Sequence, residues 1–150
     1  MARESFLSRV IAEFGRALGF ADLKLDEQGR RTLYFDDCEV TLTVGAKPTD
    51  VLWVHVLITQ IRPDDREALI YLLQVGEVLW SKNLMTVGLD QAGELVHGFS
   101  MLPAVHVNAE RLKALVLEMV RVAVEVNRRV SSRDFPTSGP VVDPGGMIRV

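Results

Sequence analysis

Residues 51–60 read VLWVHVLITQ, the composition of a strand, but with apolar side chains at both parities. Successive side chains of a strand point to opposite faces. Leu52, Val54, Val56 and Ile58 therefore face one way, and Val51, Trp53, His55 and Leu57 the other. The first set has the aliphatic, β-branched make-up of a core. The second joins a tryptophan, a histidine and a leucine, a mixture that bulk water explains poorly. The neighbouring hairpin offers Tyr34, Thr41 and Thr43 in the same direction, and tryptophan and tyrosine are favoured interface anchors. This face reads as a platform for a partner; the competing covers are the chain's own third helix or a subunit contact.

Upstream, Phe6, Val10 and Phe14 recur every four residues within 5–18, Leu7, Ile11 and Leu18 flank them, and Gly19 ends the run, which predicts an amphipathic helix. LDEQGRRTLYFDDCEVTLTVG (25–45) predicts a turn at Asp26–Gly29 and a hairpin pivoting near Asp36-Asp37. GAKPTD (45–50) reads as a loop leading into the opening strand. Downstream, Pro63-Asp64-Asp65 opens a second helix running to about Ser81, since proline suits the first turn and carboxylates the positive end of the dipole. LMTVGLDQAGELVHGFSM (84–101) predicts two strands around an Asp90–Gly93 turn, and Asn108 caps a third helix to about Arg129. That helix carries a core stripe of Leu112, Leu115, Val116, Met119, Val122, Ala123 and Val126. The final stretch, SSRDFPTSGPVVDPGGMIRV, lacks periodicity and predicts a flexible tail over 131–150 after a folded domain over 1–130. The order α-β-β-β-α-β-β-α makes this an α+β protein, a twisted antiparallel sheet packed on helices.

The second helix is apolar around much of its circumference. Leu69, Leu72, Leu73, Leu79 and Trp80 form one stripe suited to the sheet, while Ile70, Tyr71, Val75 and Val78 lie on another side. In a small domain a second copy is the economical cover for the second side, with the third helix as the alternative. Gly76 would permit close helix–helix approach. A homodimer is the expectation.

At 150 residues, with a net charge of -3 and a single cysteine, the chain reads as one soluble, intracellular domain without an intrachain disulfide. Its acidic balance argues against nonspecific nucleic-acid binding. No run approaches the roughly 20 apolar residues of a membrane span. Cys38 shares a strand face with Val40 and Leu42 and reads as a small core hydrophobe rather than a nucleophile. His55, His97 and His106 lack metal-ligand spacing. Asp36-Asp37 and Asp64-Asp65 are explained by a turn and a helix start, and Arg128, Arg129 and Arg133 by the negative end of a helix dipole. Gly45-Ala46-Lys47 lacks the lead glycines and Ser/Thr of a phosphate loop. No catalytic, cofactor or metal constellation is visible; the sequence reads as a binding protein, not an enzyme.

The segments FGRALGFADLKLDEQGRRTLYFDDCEVTLTV (14–44) and LLQVGEVLWSKNLMTVGLDQAGELV (72–96) resemble class I type III secretion chaperones of the Tir-chaperone kind. The shared features are a Leu-Asp-x-x-Gly turn leading into the first strand, a Leu-Trp end to the second helix and a Thr-x-Gly-Leu-Asp hairpin. The resemblance spans about residues 4–130 and implies the same α-β-β-β-α-β-β-α fold, a bacterial cytoplasmic homodimer, and no nucleotide or metal. It further implies that the N-terminal chaperone-binding segment of one secreted effector is held extended, kept soluble and fit for secretion, with the secretion ATPase as a further partner. Carried onto this chain, the dimer contact falls on Tyr71, Val75, Gly76, Val78, Trp80, Met85 and Val87. The effector contact falls on the first helix, at Phe6 and Val10, and on the strands, at Tyr34, Thr41, Thr43, Trp53, His55 and Leu57. Two features depart from the family pattern: Lys82-Asn83-Leu84 stands where many relatives have a glycine pair, and the Pro/Gly tail is longer. A same-fold adaptor that binds a folded regulatory protein is the alternative.

Overall fold

The computed structural model describes residues 5–45, 51–136, 141–142 and 148–149. The predicted loop, apart from Gly45, and half of the predicted tail lie outside the described residues. Helix α1 (Phe6–Ala17) precedes strands β1 (Arg30–Phe35), β2 (Cys38–Val44) and β3 (Val51–Gln60). Helix α2 (Arg66–Ser81), strands β4 (Thr86–Leu89) and β5 (Leu95–Pro103), a 3₁₀ turn (Ala104–His106) and helix α3 (Ala109–Ser132) follow. The five strands form one antiparallel sheet in the order β1-β2-β3-β5-β4. The eight-element order and α+β class read from the sequence hold.

Local chemistry accounts for the boundaries. Ser5, Asp65 and Asn108 each accept a hydrogen bond from a first-turn backbone N–H, of Ser8 (3.1 Å), Ala68 (3.1 Å) and Arg111 (2.8 Å). Each cap satisfies a donor that the helix itself cannot. The two Leu-Asp-x-x-Gly turns are one device used twice. Asp26 Oδ1 accepts from the N–H groups of Gln28 and Arg30, Asp90 Oδ1 from those of Glu94 and Leu95. Gly29 and Gly93 then take φ of +74° and +72°, where a side chain would be strained.

All three helices lie on one side of the sheet. Val40, Leu42, Leu52, Val54 and Val56 point to that side and are wholly buried, together with Ile11 and Phe14 of α1 and Leu112, Val116 and Met119 of α3. Cys38 belongs to this core, and burial pushes its thiol pKa up. α3, 24 residues and about 36 Å long, spans the sheet. The period-two alternation of β3 breaks once. A bulge between Leu57 and Thr59 turns Ile58 and Thr59 both inward.

Two expectations are corrected. α2 packs through Ala68, Tyr71, Leu72, Val75 and Leu79, so the predicted packing stripe is rotated: Leu73 and Trp80 are 76% and 69% exposed. The segment after α3 also does not leave the body at once. Arg133 ends the helix in the left-handed region at φ 52° and pairs with Asp65 (2.7 Å) and Glu67 (3.2 Å) of α2. Phe135 then lies on Tyr71 with ring centroids 5.2 Å apart. Further on, β6 (Val141–Val142) pairs antiparallel with β7 (Ile148–Arg149), regular structure that the sequence reading did not foresee. Buried beneath this clasp, the Tyr71 hydroxyl has no hydrogen-bond partner among the described residues, and burial pushes its pKa up to about 12. Phe135→Ala should therefore cost about 1–2 kcal/mol in urea unfolding, the value of an aromatic pair plus the area uncovered. A variant as stable as the parent would show that the clasp contributes nothing.

Candidate functional site

The sheet face away from the helices carries the set raised by the opening stretch. Cross-strand partners share a face, and the register aligns Thr43 with Trp53 and Met101, Thr41 with His55 and Phe99, and Leu57 with His97. The rings form a continuous floor. His55 stacks on Phe99 at 6.0 Å and 27°, and Trp53 lies 6.4 Å from each of them. These spacings are those of favourable aromatic pairs. A concavity of about 570 Å³ sits over this floor, bordered by Thr41, Thr43 and Arg30. Along the β1 side the Thr32 and Thr41 hydroxyls hydrogen-bond at 3.0 Å, giving the apolar floor a polar border. Trp53, His55, Leu57 and Phe99 are only half-buried, by one another, since none of the described helices covers them. Burial, then the neighbouring His97 and Arg30, hold the His55 imidazole below its usual pKa.

The structure thus brings Thr41, Thr43, Trp53, His55 and Leu57 together and adds Phe99 and Met101, which the sequence reading missed. Tyr34 is on the same face but at the edge strand, 67% exposed and away from the concavity. Phe6 lies apart from that floor, half-exposed beside Val44, Ala104 and Val105 in a separate apolar hollow. Val10 does not reach a surface: it is buried on the core side of α1.

A second apolar groove of about 530 Å³ runs between α2 and the edge strand β4, lined by Leu69, Leu73, Gly76, Trp80, Val87 and Leu89 among others. Of the residues assigned to a dimer contact, Gly76, Trp80 and Val87 line it. A Cβ at Gly76 would lie 3.5 Å from Val87 Cβ, so the glycine faces β4 and not another helix. Val78 is half-buried. Tyr71, Val75 and Met85 are corrected to core residues: Tyr71 lies under Phe135, Val75 is wholly buried and Met85 fills the space above Gly98. Trp80 and Thr86 also border a corner hollow with Trp53 and Phe99, so the groove and the aromatic floor are contiguous.

The charged residues are used structurally. Arg128 pairs with Glu125 (2.7 Å), Arg129 with Asp134 (3.1 Å) and Arg133 with Asp65, so the basic cluster at the end of α3 is taken up in ion pairs. Asp64 pairs with Arg62, and Asp65 caps α2, its carboxyl held below the usual range first by the Arg133 hydrogen bond. Among the described residues no group of three or more His, Cys, Asp or Glu side chains converges as a metal site, and no helix is long and apolar enough to cross a membrane.

The fold is thus a five-stranded sheet with helices on one side and an apolar, ring-lined face on the other. The Tir chaperone protein (CesT) family matches residues 9–127, most of the described fold. The chain belongs to that family. Solved structures of similar fold agree. The crystal structure of the ExsC-ExsE complex aligns at 23% identity and TM-score 0.71, over 93% of this chain and 100% of that one. The HopA1-SchA chaperone-effector complex aligns at 22% identity and TM-score 0.62, over 80% and 94%. The Yersinia pestis type III secretion chaperone SycH, in complex with a stable fragment of YscM2, aligns at 17% identity and TM-score 0.62, over 82% and 100%. No curated protein matches by sequence. The resemblance seen in the Leu-Asp-x-x-Gly and Thr-x-Gly-Leu-Asp motifs of this CesT-family chain was therefore to the right family.

Proposed function

We propose that this CesT-family chain is an effector-specific type III secretion chaperone of the bacterial cytoplasm. It acts as a homodimer and holds the N-terminal segment of a secreted effector extended, soluble and ready for export. The single observation that carries this reading is the aromatic floor of Trp53, His55 and Phe99 on a sheet face that the chain's own helices leave uncovered. An extended segment loses roughly 1–2 kcal/mol of conformational entropy per ordered residue, so binding needs deep apolar anchors at intervals. The floor offers such an anchor site, the threonine border offers hydrogen bonds, and the exposed edge of β1 offers main-chain pairing. Complexes with partner proteins among the similar solved structures support the same direction. Self-association through the α2–β4 groove would place two floors in one particle, so that a segment bound at one floor reaches the second at high effective concentration.

The test is native co-purification from the bacterium that encodes the chain, followed by limited proteolysis and mass spectrometry of the protected peptides. One contiguous segment near the N-terminus of a secreted protein is the expected result. Capture of a folded regulator with no protected extended segment would replace this reading with that of an adaptor.

A further inference from the structure

Resting on the reading of the open sheet face as a partner site, we infer that its aromatic floor takes an uncharged apolar side chain and that His55 makes the capture pH-dependent. Binding is firm while the imidazole is neutral and weakens when it is protonated.

The argument begins with position. His55 is the middle ring of the floor, between Trp53 and Phe99 and opposite Thr41, so a side chain seated in the concavity covers it. Among the described residues the charged or titratable groups facing this concavity are Arg30 from β1, Glu39 from β2 and His97 from β5. Along β3 itself the neighbours are Trp53 and Leu57, and β4, beyond β5, contributes Thr86 and Gly88 to this face, all uncharged. Arg30 makes no ion pair among the described residues, so an imidazolium at His55 would add a second positive charge close to the first. Covering that imidazolium with an apolar group would also strip the water that solvates it.

The sign follows. The free protein already disfavours the protonated ring, and an apolar ligand disfavours it further, so binding excludes a proton. Affinity is then complete above the pKa of His55 in the free protein and falls below it, by about tenfold for each pH unit. A ligand anchored by a carboxylate would show the opposite slope, because it would gain a cation.

The test uses Nile red, an uncharged apolar dye, titrated into the full chain between about pH 8 and about pH 5, with circular dichroism on the same samples. The expected result is binding that weakens progressively toward the acid end, is lost in Trp53→Ala, and becomes pH-independent in His55→Phe. His97→Gln should keep the slope. Trp53-dependent binding that is flat with pH, tightens in acid, or keeps its slope in His55→Phe overturns the inference while leaving the partner site standing. Binding that is absent, or indifferent to Trp53→Ala, removes both.

Discussion

Phe14→Ala should lower the unfolding free energy by about 3–5 kcal/mol, the usual cost of emptying a fully buried aromatic site. Phe14 has no exposed surface, and it lies on the buried face of α1 with Leu7, Val10 and Ile11. α1 reaches the core by packing on α3, which in turn packs on β3 and β2, so the void would open between layers that cannot close without moving a helix. For a domain whose whole stability is on the order of 5–15 kcal/mol the loss is severe. Urea unfolding should show a lower midpoint with an unchanged slope. A loss below about 1 kcal/mol would mean that α1 is not docked as described.

Leu73→Glu should leave the monomer fold as stable as before and dissociate the proposed dimer. Leu73 is 76% exposed in a single chain, so the substitution disturbs no core. In a two-fold contact through the α2–β4 groove the same residue occurs twice, and each buried, unpaired carboxylate costs about 2 kcal/mol or more. Together that is about 4 kcal/mol, roughly a thousandfold in the dissociation constant. Gel filtration with light scattering should give a dimer for the parent and a monomer for the variant at micromolar concentration. A dimeric variant would move the interface elsewhere; a monomeric parent would remove the dimer.

Much of this fold was legible because it rests on short-range rules. The period-two alternation of β2, and of β3 up to its bulge, assigns Val40, Leu42, Leu52, Val54 and Val56 to one face, and caps such as Asn108 mark where helices begin. What was not legible depends on contacts distant in sequence. Two different stripes of α2 satisfy a helical period, and the one that packs includes Tyr71, which Phe135 covers from 64 positions away. Phe99 and Met101 were missed because β5 inverts the usual polarity. Its core face carries Gly98, with Met85 packed where a side chain would stand, so the bulkier Phe99 points outward. The floor residues Trp53 and His55 were legible for the opposite reason: their parity partners are so plainly core that they had nowhere else to point. No local signal marks the bulge at Ile58–Thr59.

The most direct test of a partner-holding sheet face is Trp53→Ala, assayed for stability and for capture on one preparation. An anchor residue should change the unfolding free energy by less than about 1 kcal/mol while weakening capture of the effector segment by about 2 kcal/mol or more, some thirtyfold. A stability loss of about 3–5 kcal/mol would make Trp53 a core residue, and undiminished capture would place the effector on another surface; either result contradicts a chaperone that works through this face.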